Sequence, residues 1–163
     1  MLWRTHVLGG VTAGVLVASF TASTEPKAML MSAGIAGFAA LLPDLDSPHS
    51  KLGRIVLPAS WATQKIIGHR GPLHSLLAAV IVALLAVTTI PFTHTMIWFY
   101  AIIAGYVSHL LLDALNPQGV PFFWPLPIRV RIPIARTGGI IERLLVMPGC
   151  FVVCIWMLYS AFF

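Results

Sequence analysis

Five long apolar runs, separated by short polar or proline-bearing stretches, leave this chain few folds to choose from. They lie at about 6–22, 28–42, 72–90, 95–115 and 144–163. A helix needs about 20 apolar residues to cross a bilayer core. Inside lipid, every backbone N–H and C=O must also be satisfied within the segment, which a helix achieves. The expected fold is all-α: a polytopic membrane protein of about five transmembrane helices, with 1–163 as one membrane-embedded domain. Two longer connections are expected, at 51–71 and 116–143. Composition supports this, with 58% hydrophobic and only 9% charged residues, where a soluble domain carries about 25% charged. No removed signal peptide is expected, because no convincing small-residue cleavage site follows the first run.

Within the runs, Gly10 and Gly14 make a Gly-xxx-Gly step that lets another helix backbone approach closely. Ala33, Gly34, Ala36 and Gly37 give the second run a similar small-residue surface. Cys150 and Cys154 are two thiols four residues apart in an apolar helix and read as small packing side chains. A short interfacial helix is expected around residues 59–67.

Five alternating spans make a prediction about sidedness. If the first span starts at side X, the second and fourth end there, and the third and fifth begin there. His6, Asp44, Asp46, His69, His74, His109 and Asp113 then all fall at X. So do nine of the ten basic residues, with only Lys27 at the other side. Basic loops stay in the cytoplasm, so X is read as the cytoplasmic face of a plasma (inner) membrane. The net charge of +5 then serves orientation and anionic lipid, and no nucleic-acid partner is expected.

The polar residues at X carry the chemistry. His109 and Asp113 are four apart and share one helix face, and Asn116-Pro117 ends that helix just beyond them. Asp44 and Asp46 flank Leu45 at the end of the second run, and carboxylates that close repel unless a cation or proton lies between them. Asp46 alone is read nearly evenly as a ligand or as the cap of the Ser47-Pro48 turn. His69 and His74 bracket the start of the third run. His49 is read as an exposed loop residue and His94 lies at the far side. Ionisable groups bordering a membrane core are costly and by default functional. Several imidazoles with two or three carboxylates suit zinc first, with manganese or iron as alternatives. Two ions would use the whole set and serve in-line displacement at phosphorus.

The expected metal ligands are Asp44, His74, His109 and Asp113, followed by His6 and Asp46. His69, His74 and Arg70 are expected to take catalytic roles, including proton donation to the leaving group. Arg70, Arg129, Arg131 and Arg136 are guanidinium candidates for phosphate oxygens, although topology and lipid headgroups account for basic loop residues more often. No glycine-rich phosphate loop and no Gly-x-Ser-x-Gly elbow is present.

Thr5-His6, Leu42-Pro43-Asp44-Leu45-Asp46-Ser47-Pro48, His69 through Ser75, and Ser108-His109 through Gly119 together resemble the YdjM/YbcI family. These are bacterial inner-membrane proteins described as metal-dependent hydrolases, some linked to the LexA-controlled damage response. The resemblance implies hydrolysis without naming a substrate. More remotely, the order His, Asp, His, His-xxx-Asp is similar to zinc-dependent phospholipase C. That likeness implies zinc on His6, Asp44, His69 or His74, His109 and Asp113. The sequence departs from that pattern afterwards, since no histidine follows His109 and Glu142 is the only later acid.

The function expected is membrane-bound, metal-dependent hydrolysis of a phosphoester in a lipid or other amphiphile. The alternatives are a zinc-dependent lipid amidase, with Ser75 and Ser108 beside the motifs, a metal-binding or transport protein without hydrolysis, and an interaction protein in which the site only ties helices together.

Overall fold

A computed structural model describes residues 1–21, 25–48, 50–55, 71–89 and 95–162. Among these the chain is all-helical. Its α-helices are α1 (Trp3–Phe20), α2 (Pro26–Ala39), α3 (Lys51–Ile55), α4 (Leu76–Thr89), α5 (Thr95–Ala114) and α6 (Met147–Phe162). Short 3-10 turns at Leu42–Asp46 and Pro72–His74 adjoin α2 and α4, and a single π turn, Glu142–Val146, leads into α6. The expected interfacial helix, with His49, His69, Arg70 and His94, lies outside the described residues.

Each of the five expected spans contains a helix, but among the described residues three stretches are both long and apolar enough to cross a membrane: Pro26–Asp46, Met96–Ala114 and Glu142–Ala161. The difference has a local cause. Helix α1 has 18 residues but includes Arg4 and His6, which lower its hydropathy. Helix α4 is strongly apolar but has 14 residues, a rise of about 21 Å against a core about 30 Å thick.

Helices α1, α2 and α5 form the centre of the bundle, and small residues set their spacing. A Cβ on Gly10 of α1 would stand 2.6 Å from the Ala36 carbonyl oxygen of α2, and one on Gly105 of α5 would stand 2.1 Å from the same atom. Ala36 is thus gripped between two glycines at distances no side chain allows. One turn along α1, Ser32 donates its hydroxyl to the Gly14 carbonyl at 2.8 Å. This is the close approach that the Gly-xxx-Gly step predicts. Away from the polar end, Val15, Ala18, Met29, Ala33, Cys154 and Met157 pack together, and Cys154 serves there as a small buried side chain.

These contacts run α1 antiparallel to α2 and α5. The start of α1 meets the ends of α2 and α5, and that shared end carries the polar residues. The loop after α5 folds back over it. Ile132 donates to the Ala114 carbonyl at 2.7 Å and Ala135 to Leu115 at 3.0 Å, satisfying carbonyls that a helix end leaves open.

Candidate metal centre

Each polar side chain reaches the shared end for a local reason. His6 lies in the first turn of α1, and His109 and Asp113 are one turn apart on α5. The 3-10 turn after α2 delivers Asp44 and Asp46. His74 ends the turn before α4. Tyr106, fully buried on α5, donates to the Leu73 carbonyl beside it. Ser75 caps α4, accepting from the Ala78 N–H at 3.2 Å and donating to the Pro72 carbonyl at 2.6 Å. His6, His74, His109, Asp46 and Asp113 are each at most 3% exposed.

The buried side chains form a compact cluster. The His6 and His109 rings stack with centroids 3.7 Å apart, and the His74 ring stands 5.3 Å from His109, edge on. His6 Nε2 lies 3.3 Å from Asp113 Oδ1. His109 Nε2 lies 3.8 Å from Asp113 Oδ2 and 4.0 Å from Asp44 Oδ1. Two ligand groups result: His6, His109 and Asp113, and Asp44, His74 and His109. In each, one potential ligand atom per residue lies within 4.8 Å of the others. Ligands about 2.0–2.2 Å from a tetrahedral ion stand about 3.3–3.6 Å apart, so the widest of these spacings need contractions of up to about 1.5 Å.

His109 decides whether such a cluster fits a metal. Its Nδ1 donates to the Ala40 carbonyl at 2.7 Å. A neutral ring held this way presents Nε2 as a lone pair, and Nε2 is buried with no hydrogen-bond partner among the described residues. A buried nitrogen left so is expensive, and a locked Nδ1 is the usual support for a metal-binding imidazole. Asp46 occupies the equivalent position behind His74. Its Oδ2 accepts from His74 Nδ1 at 3.2 Å, and Asp44, not Asp46, joins the ligand groups.

Two anchors were not legible as such in the sequence. Glu142, fully buried, accepts from the Leu2 N–H and the Gly138 N–H, both at 2.6 Å. Gly138 has φ of 73°, which only glycine adopts without strain. The Met1 amino group also pairs with Asp113. An acid at the start of the last apolar run, one of only five in the chain, was the signal available for Glu142. Arg129, Arg131 and Arg136 are exposed and belong to neither ligand group. Ser75 and Ser108 are occupied by backbone, the latter donating to the Gly105 carbonyl at 2.7 Å.

The model of the YdjM inner membrane protein family matches residues 1–162. The chain belongs to the YdjM family. It is 40% identical over 128 residues to "Inner membrane protein YdjM" of Escherichia coli (strain K12), an alignment covering 74% of this chain and 63% of that protein. The YdjM protein of Shigella flexneri matches to the same extent, so the chain spans less than two thirds of those relatives. "Uncharacterized protein YvsG" of Bacillus subtilis (strain 168) is 31% identical over 162 residues, covering 99% of this chain and 97% of YvsG. No solved structure matches. The YdjM match spans every helix that contributes to the centre, so the cluster sits in a membrane protein of this family with His and Asp groups able to hold a metal ion.

Proposed function

We propose that this YdjM-family chain is a metal-dependent hydrolase of a phosphoester in a lipid or other amphiphile, working at the cytoplasmic face of the inner membrane. The observation that carries the reading is His109: a fully buried imidazole, locked at Nδ1 by Ala40, whose Nε2 lies near two carboxylates and whose ring packs against two other imidazoles. His6, Asp44, His74, His109 and Asp113 would hold zinc or a similar divalent ion, one or two in number. A bound ion of this kind supplies Lewis acidity and a water acidic enough to act as nucleophile near neutral pH. Asp46 orients His74, and Ala40 orients His109. Overall, water adds at phosphorus, the bond to the leaving oxygen breaks, and that oxygen takes a proton. His69 and Arg70, by sequence position next to His74, are the proposed donor and phosphate contact.

The cytoplasmic assignment rests on charge, with Arg4, Lys51, Arg54, Arg129, Arg131, Arg136 and Arg143 all on the same end as the cluster. The proposed topology takes all five long helices as spans, with α1 and α4 supported by their neighbours. Cysteine labelling at position 131 then occurs only from the cytoplasm, and labelling from outside intact cells inverts the topology.

One observation favours the reading in which the cluster only ties helices together: its side chains already pair with one another, His6 with Asp113 at 3.3 Å and His74 with Asp46 at 3.2 Å. Metal analysis of the detergent-purified protein, followed by hydrolysis of short-chain phospholipids with and without chelator, separates the two. The hydrolase reading requires stoichiometric metal and chelator-sensitive release of product. Metal-free protein whose thermal stability ignores chelator sinks it.

A further inference from the structure

Beside the cluster lies a recess of about 470 Å³ whose lining includes Asp44 and Asp113 together with Lys51, Arg54 and Trp3. That volume falls in the range of about 300–1,000 Å³ typical of small-molecule sites. The Lys51 ammonium stands 5.6 Å from the centre of the Trp3 ring, a cation–π contact that keeps it at the rim. Two cations thus line the same space as the two carboxylates of the ligand groups. A wall with both signs suits an anion whose charge is shared between a metal and basic side chains.

Two further recesses lie along the same loop and share lining residues in series. Gln118 and Thr137 line the first and also line a second recess of about 390 Å³, which adds Pro117 and Arg136. Those two residues in turn line a third, about 640 Å³, whose remaining walls include Ile134, Ile140 and Ile141. The lining changes along this series from charged to polar to apolar. Ile134, Ile140 and Ile141 are 54%, 77% and 40% exposed, and the last two directly precede the π turn into α6. The apolar end therefore lies where the last candidate span begins.

We propose that these three recesses form one binding track for an anionic phospholipid, with Lys51 and Arg54 holding the phosphate beside the His/Asp cluster and an acyl chain lying along Ile134, Ile140 and Ile141. This rests on the hydrolase reading for its purpose and names the substrate class. The phosphate end alone would equally accept free phosphate, and only the apolar end selects a lipid. Arg129 and Arg131 line none of the three recesses and supply a control of equal charge.

The test is equilibrium binding to the full-length, metal-loaded protein in detergent. The probes are dihexanoylglycerol phosphonate, which cannot be hydrolysed at phosphorus, and inorganic phosphate. Lys51→Gln/Arg54→Gln is expected to weaken both probes at least tenfold. Ile134→Ser/Ile140→Ser is expected to weaken the phosphonate lipid at least fivefold and leave inorganic phosphate unchanged. Arg129→Gln/Arg131→Gln is expected to change neither. Metal content and thermal stability, measured in parallel, identify any variant that is merely misfolded, and Lys51→Arg/Arg54→Lys should then restore binding. Equal losses in both charge variants mean bulk attraction and overturn the proposal. So does lipid affinity indifferent to the isoleucine changes, or wild-type protein that binds phosphate but not the lipid. Binding is read here without turnover, and the short-chain phospholipid assay reads hydrolysis separately, so tight lipid binding without hydrolysis defeats the hydrolase reading alone. Full hydrolysis by Lys51→Gln/Arg54→Gln defeats the track alone.

Discussion

Helix α5 and the stretch Glu142–Ala161 that contains α6 are both apolar and long enough to span, yet they live in different surroundings. Over its span-length stretch, 44% of α5 is buried inside the protein, against 11% for the stretch that contains α6. Helix α5 touches α1, α2 and α4, and it can carry His109 and Asp113 because neighbouring helices supply partners. Helix α6 presents Phe151, Val152, Ile155, Trp156 and Tyr159 outward, as a lipid-facing helix does, and its stretch contributes one buried acid, Glu142, at its very start. Polar chemistry in a membrane therefore belongs to a helix enclosed by neighbours. A peripheral helix can be fixed by a single well-satisfied anchor.

Mutations can break or sharpen this contrast. The largest effect is expected from His109→Ala on α5. It removes the only residue common to both ligand groups, and should lower metal affinity more than about 100-fold; Trp156→Ala on α6 should leave metal content unchanged. Full metal occupancy in His109→Ala would remove α5 from the site. Next comes Gly105→Ala, whose methyl would meet the Ala36 carbonyl. A loss of about 1–3 kcal/mol or more is expected in detergent unfolding. Asp46→Asn should leave the fold intact and weaken metal binding about 10–100-fold, as loss of an orienting carboxylate does. Glu142→Gln should cost about 1–3 kcal/mol, because one of two buried amide donors meets an NH₂ group in place of an oxygen. A negligible change in melting would show that α6 needs no anchor. The smallest effect, of opposite sign, belongs to Gly149→Ala on α6. Nothing lies within 4 Å of its added carbon, so helix propensity alone should raise stability by up to about 1 kcal/mol.

Much of the cluster was legible before any coordinates. The alternation of apolar runs places the ends carrying His6, Asp44, His74, His109 and Asp113 together, and the i, i+4 spacing of His109 and Asp113 fixes their shared face. The division of labour between Asp44 and Asp46 was not legible. It depends on the chain adopting a 3-10 turn there. At about three residues per turn, side chains two apart point in different directions, so Asp44 reaches His109 while Asp46 reaches His74. The Ala40 carbonyl behind His109 is a backbone atom that residue type cannot advertise. Glu142 meets Leu2 from 140 positions away, a pairing set by how α6 docks. The number of spans was ambiguous for a simpler reason: α1 and α4 fall short in apolarity or length, and what lies around them decides whether they cross.

The two glycines that clasp Ala36 have a mechanical consequence. With the last turn of α2 pressed backbone on backbone against the middles of α1 and α5, that trio has no slack to breathe or slide. Any opening that admits a bulky guest from the bilayer must come from the outer helices swinging away, with the inner three acting as a fixed post.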